Sequence, residues 1–178
     1  IQERLGVRER MESFGRRVIR NCLPDQHRQF YAGLPMLLVG HVDAENQAWA
    51  SIVFGEPGFL TTPDPRTLRI AARPLPGDPL GEVLNPGQRI GVLGIDPATR
   101  RRNRLTGHIV AAEGHNVDVR VDQTFGNCPQ YIQTREWHHR AQGASRTVRL
   151  TQLDEEMAAG ITRADTFFVA SGMRESDG

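Results

Sequence analysis

The chain has no lysine; all 22 of its basic residues are arginine. That absence excludes every mechanism built on a lysine Schiff base, covalently held pyridoxal phosphate included. Anions must then be held by arginine forks and backbone amides. Cysteine is almost as scarce. Cys22 and Cys128 lie far apart in no ligand spacing, which argues against a disulfide scaffold and against a zinc centre. A reducing compartment, the cytoplasm, is the expected location. Long apolar runs are missing too: the stretch around Met36 to Val39 is far shorter than the roughly 20 residues a membrane helix needs, and no signal peptide is visible. A net charge of +1 gives no global field for a polyanion. No nucleic-acid and no membrane partner is therefore expected.

What is present describes an ordinary globular chain, with 38% hydrophobic and 24% charged residues over 178 positions. That length suits one domain with a sizeable core. Val7, Met11, Phe14, Val18 and Cys22 recur at helical steps, predicting an amphipathic helix over residues 1–22 that ends at Leu23-Pro24. A short second helix is expected from Asp25, as N-cap, to Gly33. Strand-like segments follow at 35–42, 47–54, 66–72, 89–96, 104–113 and 116–122, separated by turn formers such as Glu56-Pro57-Gly58 and Pro63-Asp64-Pro65. Most of these strands should pair antiparallel with their sequence neighbours. The segment 73–88 reads as a crossover with one helical turn near 79–84. Beyond Asp122 the pattern predicts a loop and helix, a strand-like piece at 147–150, a helix from Asp154 through Ala159, and a final strand and turn. That last segment, 164–176, echoes residues 34–46, so it is either the last strand of the same unit or the start of a second one. The domain reading is a helical segment at 1–33, a β-domain at 34–160, and a terminal piece at 161–178.

Several residues invite a chemical reading. Arg100, Arg101, Arg102 and Arg104 can give bidentate contacts to a phosphate, or can be a solvated hairpin. In a strand, Arg102 and Arg104 share one face while Arg101 and Asn103 share the other. Ala48, Trp49, Ala50 and Ser51 alternate small and large side chains, which lets a flat ring approach the backbone amides; a plain core strand is the other reading. Ser51 is the expected polar contact. Arg69 is a further anion candidate, with Leu68 and Ile70 expected on the opposite side of its strand. Cys128 is either a thiol activated by a helix beginning at Pro129 or part of a structural loop in which Asn127 caps that helix. His138 and His139 are adjacent and point apart, so a shared metal ion is not expected. His41, His108 and His115 stand alone in sequence.

The stretches AWASIVFGEPGFL (48–60), LNPGQRIGVL (84–93), RRRNRLTG (100–107) and above all FGNCPQYIQTR (125–135) are similar to the FMN-binding split-barrel family related to pyridoxamine 5'-phosphate oxidase, in its bacterial branch with the FGNCPQYI pattern. The resemblance covers over half the chain. It implies a mainly β fold with flanking helices, a split β-barrel, with a second barrel module beginning near the C-terminus as one option. It also implies a homodimer with flavin sites between subunits, FMN as cofactor with FAD or a deazaflavin as alternatives, and an oxidoreductase of unstated substrate. The other readings are a flavin module at the front of a longer electron-transfer chain and a degenerate barrel that serves as a dimerisation unit. The residue readings and the resemblance together give an expected cofactor-binding set of Trp49, Ala50, Ser51, Arg69, Arg102, Asn103, Arg104, Asn127 and Cys128, with no catalytic residue assigned. The chain departs from the oxidases at Val53-Phe54-Gly55 and at 75–79, where they carry Arg and Lys; here Asp78 stands instead.

Overall fold

The structure, a computed structural model, describes residues 18–126, 128–138, 148, 150–172. The helix expected over 1–22 lies mostly outside these residues. Within them it does not continue: Val18 is helical, but Arg20 already exchanges backbone hydrogen bonds with Thr124, at 3.0 and 2.7 Å. Pairing with the sheet therefore ends any helix before Leu23.

Helix α1, Asp25–Ala32, begins after Pro24, whose fixed φ is compatible with a helix start. Pro24 takes the N-cap position, and Asp25 sits one residue inside, in the first turn, where a carboxylate meets the positive end of the helix dipole. Gly33 closes the helix through its N–H to Phe30. Phe30 and Tyr31 are buried and meet edge to face, with ring centroids 5.6 Å apart.

Strands β1 (Met36–Val42), β2 (Ala48–Phe54), β3 (Leu60–Asp64), β4 (Thr67–Ala71), β5 (Arg89–Asp96), β6 (Arg101–Glu113) and β7 (Asn116–Gly126) form one antiparallel sheet in the order β2-β1-β5-β6-β7-β4-β3. The one-turn helix α2, Leu80–Val83, lies in the crossover between β4 and β5. Three expectations need correction. Strand β3 was read as a turn because of Pro63, yet it is an edge strand, where a missing N–H leaves no ladder bond unmade. The β5–β6 hairpin turns at 97–100, with Arg100 at φ 54°, so Arg101, Arg102 and Arg104 lie inside β6 rather than in a loop. Strand β7 runs on to Gly126 instead of stopping at 122, because Asn103, Arg104 and Leu105 of β6 offer it partners.

The sheet is strongly curled. Val53 of β2 and Ile70 of β4, five places apart in the strand order, line one apolar crevice with Val39, Leu80, Ile90 and Val117. About 10 Å³ is left there, enough for at most one water and not for a ring system. Leu37, Val39, Val53, Leu68, Ile70, Ile90, Val92, Leu105, Ile109, Val117, Val119 and Val121 fill the inner side, with Phe30, Tyr31 and Leu34 closing one end. The edges β2 and β3 are not hydrogen-bonded to each other, so the fold is mainly β, with one open antiparallel sheet and few helices.

Among residues 128–138 no helix forms; Tyr131 has φ 71°, which the helix expected at Pro129 cannot contain. Of the strand-like piece 147–150, Val148 and Leu150 are described and neither is in a strand. Helix α3, Glu155–Arg163, is capped by Asp154, which accepts from Met157 N at 2.8 Å, and runs four residues past the expected end at Ala159. Residues 164–172 form no strand, contrary to expectation. They instead lie against β1: a Cβ on Gly40 would meet Ala170 Cβ at 3.5 Å, and one on Gly172 would meet Val42 Cγ2 at 3.2 Å. Among the described residues no helix is long and apolar enough to cross a membrane.

Candidate functional site

The ladder registers fix which side chains share a row across the outer side of the sheet. Ala50, Gly40, Gly91, Thr106 and Gln123 pair successively from β2 through β1, β5 and β6 to β7. The next row is Ile52, Leu38, Leu93, Arg104 and Phe125, and beyond it Phe54 pairs with Met36 while Ile95 pairs with Arg102. The first row has almost no side chain over its first three strands. Neighbouring strands lie about 4.8 Å apart, so Ala50 to Thr106 makes a shallow trough about 14 Å long. Along one side it has an apolar wall, Ile52, Leu38 and Leu93, that ends in two guanidinium groups.

Those guanidiniums differ. Arg104 is exposed; Arg102 is partly buried, and its Nε is shielded from water without a hydrogen-bond partner. A buried unpaired donor carries a desolvation cost of about 1–3 kcal/mol until an acceptor arrives. Arg69 stands in contrast: its Nε and a terminal nitrogen each reach Asp118 at 2.7 Å, a bidentate pair. Hydrogen bonding to Asp118 holds the Arg69 pKa above its usual range, with the Asp118 charge adding to it. Leu68 and Ile70 do face the opposite, core side.

The structure thus brings Ala50, Arg102 and Arg104 of the expected site to one surface and turns three others away from it. Trp49 points inward, its indole N–H donating to Asp43 at 2.6 Å. This bond is the main cause that lowers the Asp43 pKa. Ser51 is buried, donating to Asp78 at 2.6 Å while His41 Nε2 lies 3.3 Å from its oxygen. Asn103 is buried as well: its backbone carbonyl faces the Tyr31 hydroxyl at 3.4 Å and its side chain faces that of Thr124 at 3.5 Å. Cys128 is exposed, and Asn127 lies outside the described residues. No helix activates the thiol or needs a cap there.

Sequence reasoning missed Gly40, Gly91 and Thr106. Their signal was a glycine in the middle of each of two strands, MLLVGHV and RIGVLGID, which marks close approach by another group. It also missed the His41–Ser51–Asp78 chain, whose members are 10 and 27 residues apart. That chain is not a hydrolytic relay, because serine lies between histidine and carboxylate, whereas proton transfer from serine needs histidine in the middle. With the Ser51 proton on Asp78, His41 must donate from Nε2, which leaves Nδ1 as a buried acceptor without a partner. Burial is the main cause lowering the His41 pKa, opposed by Asp78 and Asp43. Asp78 also accepts from Leu80 N at 2.9 Å and so ties the crossover to β2.

No family model matches the chain, and no curated protein does. Two solved structures that match part of the chain are both of HupZ from Group A Streptococcus. One matches with TM-score 0.46 and 14% identity over 64% of this chain and 100% of its own length. The other, a histidine-to-alanine variant, matches with TM-score 0.44 and 15% identity over 59% of this chain and 99% of its own.

Proposed function

We propose that this chain is a flavin-nucleotide-binding protein of the split-barrel type, taking FMN on the outer side of the β2-β1-β5-β6 half of its sheet. The observation behind this reading is the trough from Ala50 through Gly40 and Gly91 to Thr106, flanked by Arg102 and Arg104. A flat tricyclic ring needs a floor without side chains, and a phosphate needs arginine forks at one end of it. The inner side offers neither, since its crevice holds at most one water. The flavin supplies hydride chemistry, and this chain orients the ring, covers one face of it and neutralises the phosphate. Exposed Phe54, at the end of β2 beside the trough, supports a homodimer that covers the other face.

FMN titration of the purified protein tests the reading. Bound flavin, detected by its visible absorption and quenched emission, is the expected result. Gly91→Leu should abolish it; a Cβ at Gly91 meets nothing closer than Gly40 O at 3.9 Å, and an unchanged urea midpoint is the check that the fold is kept. Bleaching of the bound flavin by a nicotinamide cofactor marks an oxidoreductase; a flavin that stays oxidised marks a carrier module. The second reading, a barrel without flavin, is favoured by Ala170 sitting on Gly40 in the trough itself. A protein that stays colourless and binds no FMN at millimolar concentration establishes that reading instead.

A further inference from the structure

We propose that Arg20, His27 and Arg101 form a binding site for a phosphate-class oxyanion where α1 meets the end of β6 and β7, separate from the flavin trough. The three residues come from different parts of the chain and are brought together by the contacts of Thr124 and Phe30. The Arg20 backbone is placed beside Thr124 by paired hydrogen bonds at 3.0 and 2.7 Å, and its side chain is exposed. The Thr124 hydroxyl donates to Arg104 O at 3.0 Å and lies 3.5 Å from His27 Nδ1. With its proton on that carbonyl, Thr124 accepts from His27 Nδ1–H, and the other ring nitrogen becomes a donor to an anion when the ring takes up a proton. The Arg101 guanidinium lies over the Phe30 ring, 5.1 Å from its centroid, a cation–π placement that holds its charge beside α1.

No carboxylate among the described residues pairs with any of the three. The acid of α1, Asp25, is engaged by Arg28 of the same helix at 3.2 Å. The electrostatics agree with the geometry: the His27 pKa is lowered first by burial and then by the positive fields of Arg20 and Arg101, with no acid among the described residues opposing them. Like charges with no counterion among the described residues repel one another, and an oxyanion removes that repulsion by accepting from both guanidinium groups and from the His27 ring, which takes up a proton as the anion binds. Alternation along β6 puts Arg101 on the opposite side from Arg102 and Arg104, so this site does not depend on the flavin reading.

The test is an NMR titration of the His27 ring in the whole protein, with the resonance assigned by His27→Gln, at constant ionic strength in chloride and in inorganic phosphate. Phosphate should raise the His27 pKa well above its value in chloride. Arg101→Ala and Arg20→Ala should each weaken phosphate binding about tenfold, as expected for loss of one charge-assisted contact. Arg73→Ala, whose side chain bonds Gly114 O elsewhere, should change nothing. A His27 pKa equal in the two salts overturns the proposal, and this measurement needs only the parent protein. FMN and riboflavin arms distinguish sources: if FMN moves the ring and riboflavin does not, the phosphate of a nucleotide occupies the site.

Discussion

The outer side of the sheet has two halves with the same backbone and opposite chemistry. Around β7 the polar groups are matched across strands: Arg69 of β4 with Asp118 at 2.7 Å, Arg120 with Asp64 of β3 at 3.9 Å, and the His108 ring of β6 with Asp122 at 3.1 Å. On β1, β5 and β6 small residues make a trough, and Arg102 and Arg104 have no carboxylate among the described residues. Matched surface pairs satisfy themselves and contribute little to stability, about 0–1 kcal/mol each. Unmatched arginines above a bare backbone leave hydrogen-bonding capacity for something outside the chain. The comparison teaches that the pairing state of an arginine, rather than its count, separates a solvated face from a binding face.

Glycine sharpens the same contrast and gives the largest expected effect. Gly107 of β6 faces inward at a bulge, and a Cβ there would lie 2.2 Å from Arg120 O, a backbone atom that cannot yield. Gly107→Ala should destabilise by about 3 kcal/mol or more, by the overpacking mechanism. Gly91→Ala, on the outer trough, should stay within about 0.5 kcal/mol of the parent. Urea unfolding of both variants checks this, and equal midpoints would contradict the assignment of inner and outer faces.

The arginines come next. Arg104→Ala and Arg102→Ala should each weaken FMN binding about ten- to a hundredfold, the loss of one charge-assisted contact of roughly 1.5–3 kcal/mol. Arg69→Ala should leave FMN affinity unchanged, since its guanidinium is taken by Asp118. A loss of affinity only in the Arg69 variant would move the site to the other half of the sheet.

Much of this arrangement was legible in the sequence. Alternating apolar residues placed β1, β2, β5 and most of β6 and β7, because a strand with one buried face must repeat with period two. Alternation also separated Arg102 and Arg104 from Arg101 and Asn103. The rest depended on distant partners. Strand β3 contains a proline that only its edge position excuses, and the extension of β7 past Asp122 follows from what β6 presents. Ser51 looked like a ring contact by local pattern, but Asp78 in the crossover claims its proton. The Gly40–Gly91 pair was hidden because register between β1 and β5, which are not neighbours in sequence, decides that the two glycines meet.

Acidity gives a smaller effect, through two histidines shielded from water. The folded-state pKa values of His41 and His27 are both lowered, chiefly by burial, so the unfolded chain binds protons more readily than the folded one. Stability therefore rises with pH through the interval between the folded pKa and about 6.5, and is lost as pH falls through it. Replacing either ring by Gln should flatten the dependence of urea midpoint on pH below about 6.5. An unchanged slope in both variants would place the acid-sensitive groups elsewhere.

The smallest effect tests the trough itself. Ala170 lies on Gly40, so a ring laid across the full row from Ala50 to Thr106 must displace residues 164–172. The segment is held there by small contacts and by the Arg135–Asp165 ion pair, both groups of which are exposed. An internal competitor lowers apparent affinity by the fraction of time the site is open. If the contact contributes about 1 kcal/mol, shortening the chain after Arg163 should tighten FMN binding about fivefold, with no change in the Arg102 and Arg104 dependence. Titrating the shortened and full chains side by side measures this directly. Weaker binding after shortening would mean that the segment covers the bound ring, as part of the site, instead of competing with it.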